Sequence, residues 1–154
     1  MGGKLAKEIR QTKPFGSAAE EAILNLHRTA SVLEQLFAET LKPHGLTEVQ
    51  YNALRILRGA GRAGLSCQEI ADRMITRDPD VTRLIDRLAT RSLVERSRSE
   101  EDRRVVVTRI TPAGLKMLST IDEAARTLPQ QALGHLGEKK LRTLIDLLEE
   151  ARKA

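Results

Sequence analysis

The chain has 154 residues, enough for one domain, with 40% hydrophobic and 31% charged residues and a formal net charge of +5. No apolar run approaches the length needed to span a bilayer, and the start lacks the continuous apolar core of a signal peptide, so a cytoplasmic protein is expected. One cysteine, Cys67, excludes an internal disulfide; the basic balance favours an anionic partner; and three aromatic residues, Phe15, Phe37 and Tyr51, argue against stacking platforms for single-stranded nucleic acid.

Residues 1–17 carry Lys4, Lys7, Arg10 and Lys13 and are broken by Pro14 and Gly16, which reads as a flexible basic arm or a short helix. From Ala18 to Lys42, Ala22, Ile23, Leu26, Ala30, Leu33, Phe37 and Leu41 keep helical spacing. A long apolar stripe of this kind, within a segment spanning 18–45 and closed by Pro43-His44-Gly45, suggests an interface. Thr47 as N-cap with Gln50 three residues on opens the next helix, with Val49, Ala53, Leu54, Ile56 and Leu57 facing inward and Gly59, Gly61 and Gly64 terminating it.

Ser66 and Glu69 form a second capping-box pattern before Ile70, Ala71 and Met74. After a break at Thr76–Pro79, Asp78 is the expected N-cap of a further helix, with Pro79 at its first position. Val81, Leu84, Ile85 and Leu88 mark its buried face, while Asp80, Thr82, Arg83, Asp86, Arg87 and Arg91 mark the open one. Two short helices joined by a tight turn have the geometry of a helix-turn-helix, whose second helix enters the major groove. Leu93–Arg96 reads as a strand, Ser97–Arg104 as a hairpin tip and Val105–Ile110 as the returning strand. Thr111 and Pro112 then start another helix as N-cap and first residue. The predicted lobe, 46–111, is a winged helix-turn-helix within a mainly α chain of α+β type.

The wing from Asp102 to Thr111 resembles the signature of the MarR family of transcriptional regulators: Asp102, Arg104, Ile110 (in place of Leu) and Thr111 match, and Thr108 stands where the family usually has Val. Val81–Leu88 looks like the family's recognition helix and Leu93–Arg96 like the strand after it. The resemblance implies that Leu65 adds a third short strand beside the wing, and that the first and last helices build a homodimer.

Beyond the wing, Pro112–Leu128 carries Leu115, Leu118, Ile121 and Ala125 on one face. Pro129 is expected to kink or break this helix, with Leu133, Gly134 and Leu136 marking the bend. Glu138–Lys153 should be the last helix, with Leu141, Leu144, Ile145, Leu147 and Leu148 buried. The segment 112–154 would thus be the C-terminal half of a dimerisation domain.

Double-stranded DNA is the expected partner. Thr82 and Arg83 are expected to meet bases, because Arg pairs bidentately with a guanine edge and the Thr methyl fits a thymine. Arg77 is expected to meet base or phosphate, and Arg87 and Arg91 to reach phosphates or pair with Asp80 and Asp86. The resemblance puts Arg104 in the minor groove, where a narrow groove attracts Arg, with Asp102 orienting the wing. Arg98 and Arg103 are expected phosphate contacts, as are Ser66 and Gln68 at a helix start. Two features depart from the family: Asp78 and Asp80 put negative charge where DNA would lie, and Ser92 replaces a Gly at a position expected to need positive φ.

Members of the family commonly release DNA on binding a small anionic or aromatic effector; His27, Arg28 and Tyr51 are the candidate lining, though each such residue is more often a core or surface residue. Cys67 beside a helix start could sense oxidants but reads better as a plain helix residue, since the peroxide-sensing branch carries its cysteine in the first long helix. His27, His44 and His135 have no metal-ligand spacing, no cofactor is implied, and no enzyme motif is present. The reading is a DNA-binding transcriptional regulator, in the repressing sense, on a pseudo-palindromic operator. The alternatives are a ligand-independent winged-helix DNA binder and a winged-helix protein-interaction module, the latter disfavoured by the basic wing.

Overall fold

The computed structural model describes residues 3–77 and 80–153. The chain divides into two compact units, 1–37 and 38–154. In the first, α1 (Lys4–Glu8) buries Leu5, and the Gly3 amide donates to Glu21 Oε1 at 3.1 Å. The long helix α2 (Ala18–Leu41) begins there and buries only Leu41. The N-terminal part of its stripe is open, with Ile23 55% and Leu26 44% exposed, while Leu33 and Phe37 are half-buried.

The second unit holds the lobe. A short 3-10 turn, Lys42–His44, follows α2 and closes in the left-handed conformation at Gly45 (φ 65°). The Leu46 amide reaches back to the Leu41 carbonyl and the Gly45 amide to that of Lys42, so the end is a Schellman motif. Helix α3 (Glu48–Ala60) opens on the predicted Thr47–Gln50 capping box and runs through Gly59. After a 3-10 turn at Gly61–Ala63, α4 (Cys67–Arg73) opens on the predicted Ser66–Glu69 box. The turn beyond α4 is held from α3, where Asn52 Oδ1 accepts the Ile75 amide at 2.9 Å.

Helix α5 spans Val81–Thr90. Its cap is Asp80, whose Oδ1 accepts the Arg83 amide at 2.9 Å. The cap expected at Asp78, with Pro79 at the first helical position, lies outside the described residues. The reason for Asp80 is its spacing: its carboxylate stands three residues before the amide it bonds, the N-cap geometry. Val81, Leu84, Ile85 and Leu88 are buried, as their period required. The helix ends in a second Schellman motif: the Leu93 amide bonds the Leu88 carbonyl and the Ser92 amide that of Ala89. Ser92 takes the left-handed position with φ 59°, in line with the sequence reading.

Strands β1 (Val94–Arg98) and β2 (Val106–Ile110) pair antiparallel, Ser97 opposite Val107, and β1 runs two residues further than predicted. Leu65 bridges to Thr108, which makes the expected third short strand. The lobe core gathers Leu54, Leu57, Ile70, Ile85 and Leu88 with Leu118 and Ile121, all fully buried. Truncating any such Leu to Ala would cost about 2–5 kcal/mol.

Helix α6 (Pro112–Leu133) is capped by Thr111 and is not broken at Pro129. A proline removes one i→i−4 bond, and the flanking ladder carries the helix past it. The chain turns instead at Gly134–Leu136, the predicted bend, into α7 (Gly137–Ala151). The leucines and Ile145 expected to be buried on α7 are not buried in the single chain; Ile145 is 44% exposed and Leu147 58%. A period-3.6 stripe reports that a face is apolar, not that its own chain covers it. Arg58 Nη1 on α3 donates to both carboxylate oxygens of Asp122 on α6, at 2.9 and 3.0 Å, and no described helix is long and apolar enough to cross a membrane.

Candidate nucleic-acid interface

Between Ser66 and Thr111 stand ten arginines, nine carboxylates and no lysine. With charges so nearly balanced, function turns on which arginines are already engaged. On α5, Thr82, Arg83 and Arg87 all face solvent. Arg83 is drawn back to its own cap, its Nε 3.7 Å from Asp80 Oδ2, yet its side chain stays 71% exposed. Such an exposed pair is weak and can open toward a stronger anion. Arg87 has no ion pair among the described residues and lies with Thr47, Gln50 and Arg83 along a groove of about 170 Å³ between α3 and α5. Arg77 is exposed immediately before the two undescribed residues.

Two other residues of this helix face are held by the protein. Asp86 takes the guanidinium of Arg96 on β1. Arg91 donates to the main-chain carbonyls of Gly45 and His44, which turns it from phosphate to the end of α2. The imidazole of His44 meets Thr120 on α6 at 3.3 Å.

The wing tip is ordered from within. The Ser99 amide bonds the Val105 carbonyl at 2.8 Å and the Val105 amide that of Asp102 at 2.9 Å. Asp102 Oδ1 accepts both the amide and Nε of Arg104, at 3.0 and 3.3 Å. These bonds tie Asp102 to Arg104, whose side chain is 92% exposed at the tip. Arg103 is exposed, and Arg98 Nη1 donates to the Arg103 carbonyl at 3.2 Å.

At the start of α4 the Ser66 hydroxyl accepts the Glu69 amide, and Gln68 donates to Asp72. Glu69 in turn accepts the Ser66 amide at 2.8 Å, which holds its carboxyl below the usual glutamate value. A carboxylate already occupies this helix start, so an incoming phosphate meets competition there.

The remaining sequence candidates separate. His27 lines a hollow of about 370 Å³ with Ile23, Leu26 and Ala30 on α2. Arg28 lies 3.9 Å from Glu8. Tyr51 is buried in the lobe core with Arg55 over its ring. Cys67 is half-buried against that core. Among the described residues no cluster of three His, Cys, Asp or Glu could hold a metal. Sequence reasoning missed Asn52, the engagement of Arg91 and the bond from Arg109 Nε to the Arg62 carbonyl; no local pattern marks them, because their partners lie far away in the chain.

A helix pair whose second member bares Thr82, Arg83 and Arg87, beside a two-stranded wing that extends Arg104, defines a winged helix-turn-helix DNA-binding protein. The MarR family model matches residues 46–106. The chain belongs to the MarR family of transcriptional regulators. A MarR transcription factor from Planctomyces limnophilus is 43% identical with a TM-score of 0.66, covering 88% of this chain and 98% of that one. The transcriptional repressor IacR of Pseudomonas putida is 31% identical over 71% of this chain and 64% of its own. A mutant MarR from E. coli complexed with operator DNA is 25% identical with a TM-score of 0.74, covering 82% of this chain and 89% of that one. Proteins of this family are not enzymes.

Proposed function

We propose that this transcriptional regulator acts as a homodimer on a pseudo-palindromic operator, as a repressor, and leaves it on binding a small anionic or aromatic effector. The observation that carries the DNA reading is the bare basic face of α5 beside the self-ordered Arg104 tip. In this reading Thr82 and Arg83 meet base edges, Arg77, Arg87, Arg98 and Arg103 meet phosphates, and Arg104 enters the minor groove. Ser66 and Gln68, at the start of α4, are further phosphate contacts in this reading.

The apolar stripes left open on α2 and α7 support the dimer, since burying a large aliphatic side chain is worth about 1.5–3 kcal/mol. The relative IacR, a repressor, supports the sign. The His27 hollow, mostly apolar with one imidazole, supports an effector site on α2. A dimer must hold its recognition helices at the half-site spacing, so an effector that prefers another spacing lowers DNA affinity.

Fluorescence-anisotropy titration against the DNA upstream of the protein's own gene, across a salt series with random DNA as control, tests this. Tight, salt-steep binding with a two-fold footprint is expected, and Arg83→Ala should weaken it about ten- to hundredfold and relax sequence preference. Equal weak binding to both DNAs would refute the reading.

A further inference from the structure

We propose that Arg109 is a positioning residue that aims the wing, so that Arg104 arrives at the minor groove; the proposal rests on the DNA reading above. The tip from Ser99 to Val105 is closed on itself by the hydrogen bonds of Ser99, Asp102 and Arg104, and Arg98 of β1 adds one bond to its Arg103 carbonyl. It therefore moves as one piece, and its direction is set at the base of the hairpin.

The base has two attachments to the segment before α4. One is the single residue pair Leu65–Thr108, with bonds of 3.0 and 2.7 Å. A single pair joins the edges at one point, beside the packing of Val107 and Thr108 into the lobe. It closes because Gly64, at φ 69°, brings the backbone so near that an added Cβ would stand 2.7 Å from the Thr108 carbonyl oxygen.

The second attachment is the Arg109 side chain. Its Nε donates to the Arg62 carbonyl at 2.6 Å, and its Nη1 donates to Ser97 Oγ on β1. One guanidinium thus joins both strands of the wing to the Gly61–Ala63 turn, at a point displaced from the Leu65 pair. Two separated attachments fix a direction where one does not. The fork is essential: Arg offers Nε and Nη together in one rigid plane, whereas Lys is a single point charge on a flexible stem.

The test uses the full-length protein with a duplex selected from a randomised pool. Arg109→Lys keeps the charge and loses the fork; Ser97→Ala removes one acceptor and leaves every charge in place. Each is measured alone and with Arg104→Ala. The expected result is that R109K weakens binding about tenfold, close to R104A, with S97A intermediate. The double variant R104A/R109K should be no weaker than R104A, because both remove one contact. The salt slope of R109K should fall as it does in R104A, although the charge is retained.

In the free protein, hydrogen exchange at Leu65 and Thr108 should quicken in R109K and S97A while α5 is unchanged. Wild-type affinity of R109K beside a weakened R104A would overturn the proposal and leave the DNA reading intact, as would losses that multiply in the double variant or unchanged exchange at Leu65 and Thr108. Undiminished binding by both R83A and R104A would overturn the DNA reading itself, and this proposal with it.

Discussion

Arg91, one residue past the recognition helix, donates from Nη1 to the Gly45 carbonyl at 2.7 Å and from Nη2 to that of His44 at 3.2 Å. The end of α5 is thereby strapped to the turn that closes α2. Arg91→Ala frees two carbonyls at an exposed site, where water replaces the guanidinium, so the cost should be about 1 kcal/mol. Thermal melting should show a midpoint about 2–4 °C lower. The salt dependence of DNA binding should not change, because the side chain serves the protein. A slope reduced by about one per subunit would instead assign Arg91 to phosphate.

Thr108 is fully buried in β2, and its Oγ1 has no hydrogen-bond partner among the described residues. An unpaired buried hydroxyl costs about 1–3 kcal/mol, and valine has nearly the same shape. Thr108→Val should therefore raise stability by about 1 kcal/mol, read as a later urea midpoint at unchanged slope. An earlier midpoint would mean that the hydroxyl is satisfied in solution.

Ser92 holds φ 59° at the end of α5, a conformation that a side chain penalises by about 1–2 kcal/mol. Its amide and carbonyl are both used, the carbonyl accepting Thr111 Oγ1 at 2.6 Å. Ser92→Gly keeps those main-chain bonds and removes the Cβ. Part of the relief is offset by the freer unfolded chain, which leaves about 0.5–1 kcal/mol of stabilisation. Equilibrium denaturation would contradict this if the variant proved weaker.

Glu69 has its carboxyl lowered from the ordinary value of 4.5, first by the Ser66 amide, then by the Ser66 hydroxyl and by Arg73. A depressed folded value means that the stabilisation is complete above the unfolded value and fades as pH falls through the folded one. Glu69→Gln retains an acceptor for the Ser66 amide without the charge. The melting difference between wild type and E69Q should be constant near neutrality and shrink below the ordinary glutamate range. A difference independent of pH down to strong acid would show that the charge contributes nothing.

Signals that act over three or four residues are legible in the amino-acid sequence alone. The pairs Thr47–Gln50 and Ser66–Glu69 form capping boxes, Thr111 with Pro112 opens α6, and Ser92 takes its left-handed turn. Each is a relation between neighbours along one backbone, so the tertiary fold needs only to leave it undisturbed. The buried face of α5 follows from a 3.6-residue period, and the returning strand of the wing from its β-branched run, in the same way. Asp102 and Arg104 are readable for the same reason, two residues apart in one turn.

Contacts between distant parts of the chain are not legible in that way. Arg91 meets carbonyls 46 and 47 positions away, Arg109 one 47 positions away, and Asn52 an amide 23 positions away. An arginine on an open helix face looks alike whether it awaits phosphate or a main-chain carbonyl; only the approach of another segment distinguishes them. Pro129 carries a local penalty that the surrounding helix absorbs. By itself, then, the sequence determined most of the elements, the caps at Thr47, Ser66 and Thr111, and the apolar faces, since these depend on backbone geometry within a few residues. The tertiary structure decided which arginines are engaged by the protein, which remain open to an anion, and how the wing is braced, because those depend on loop closures that bring remote groups within hydrogen-bond range.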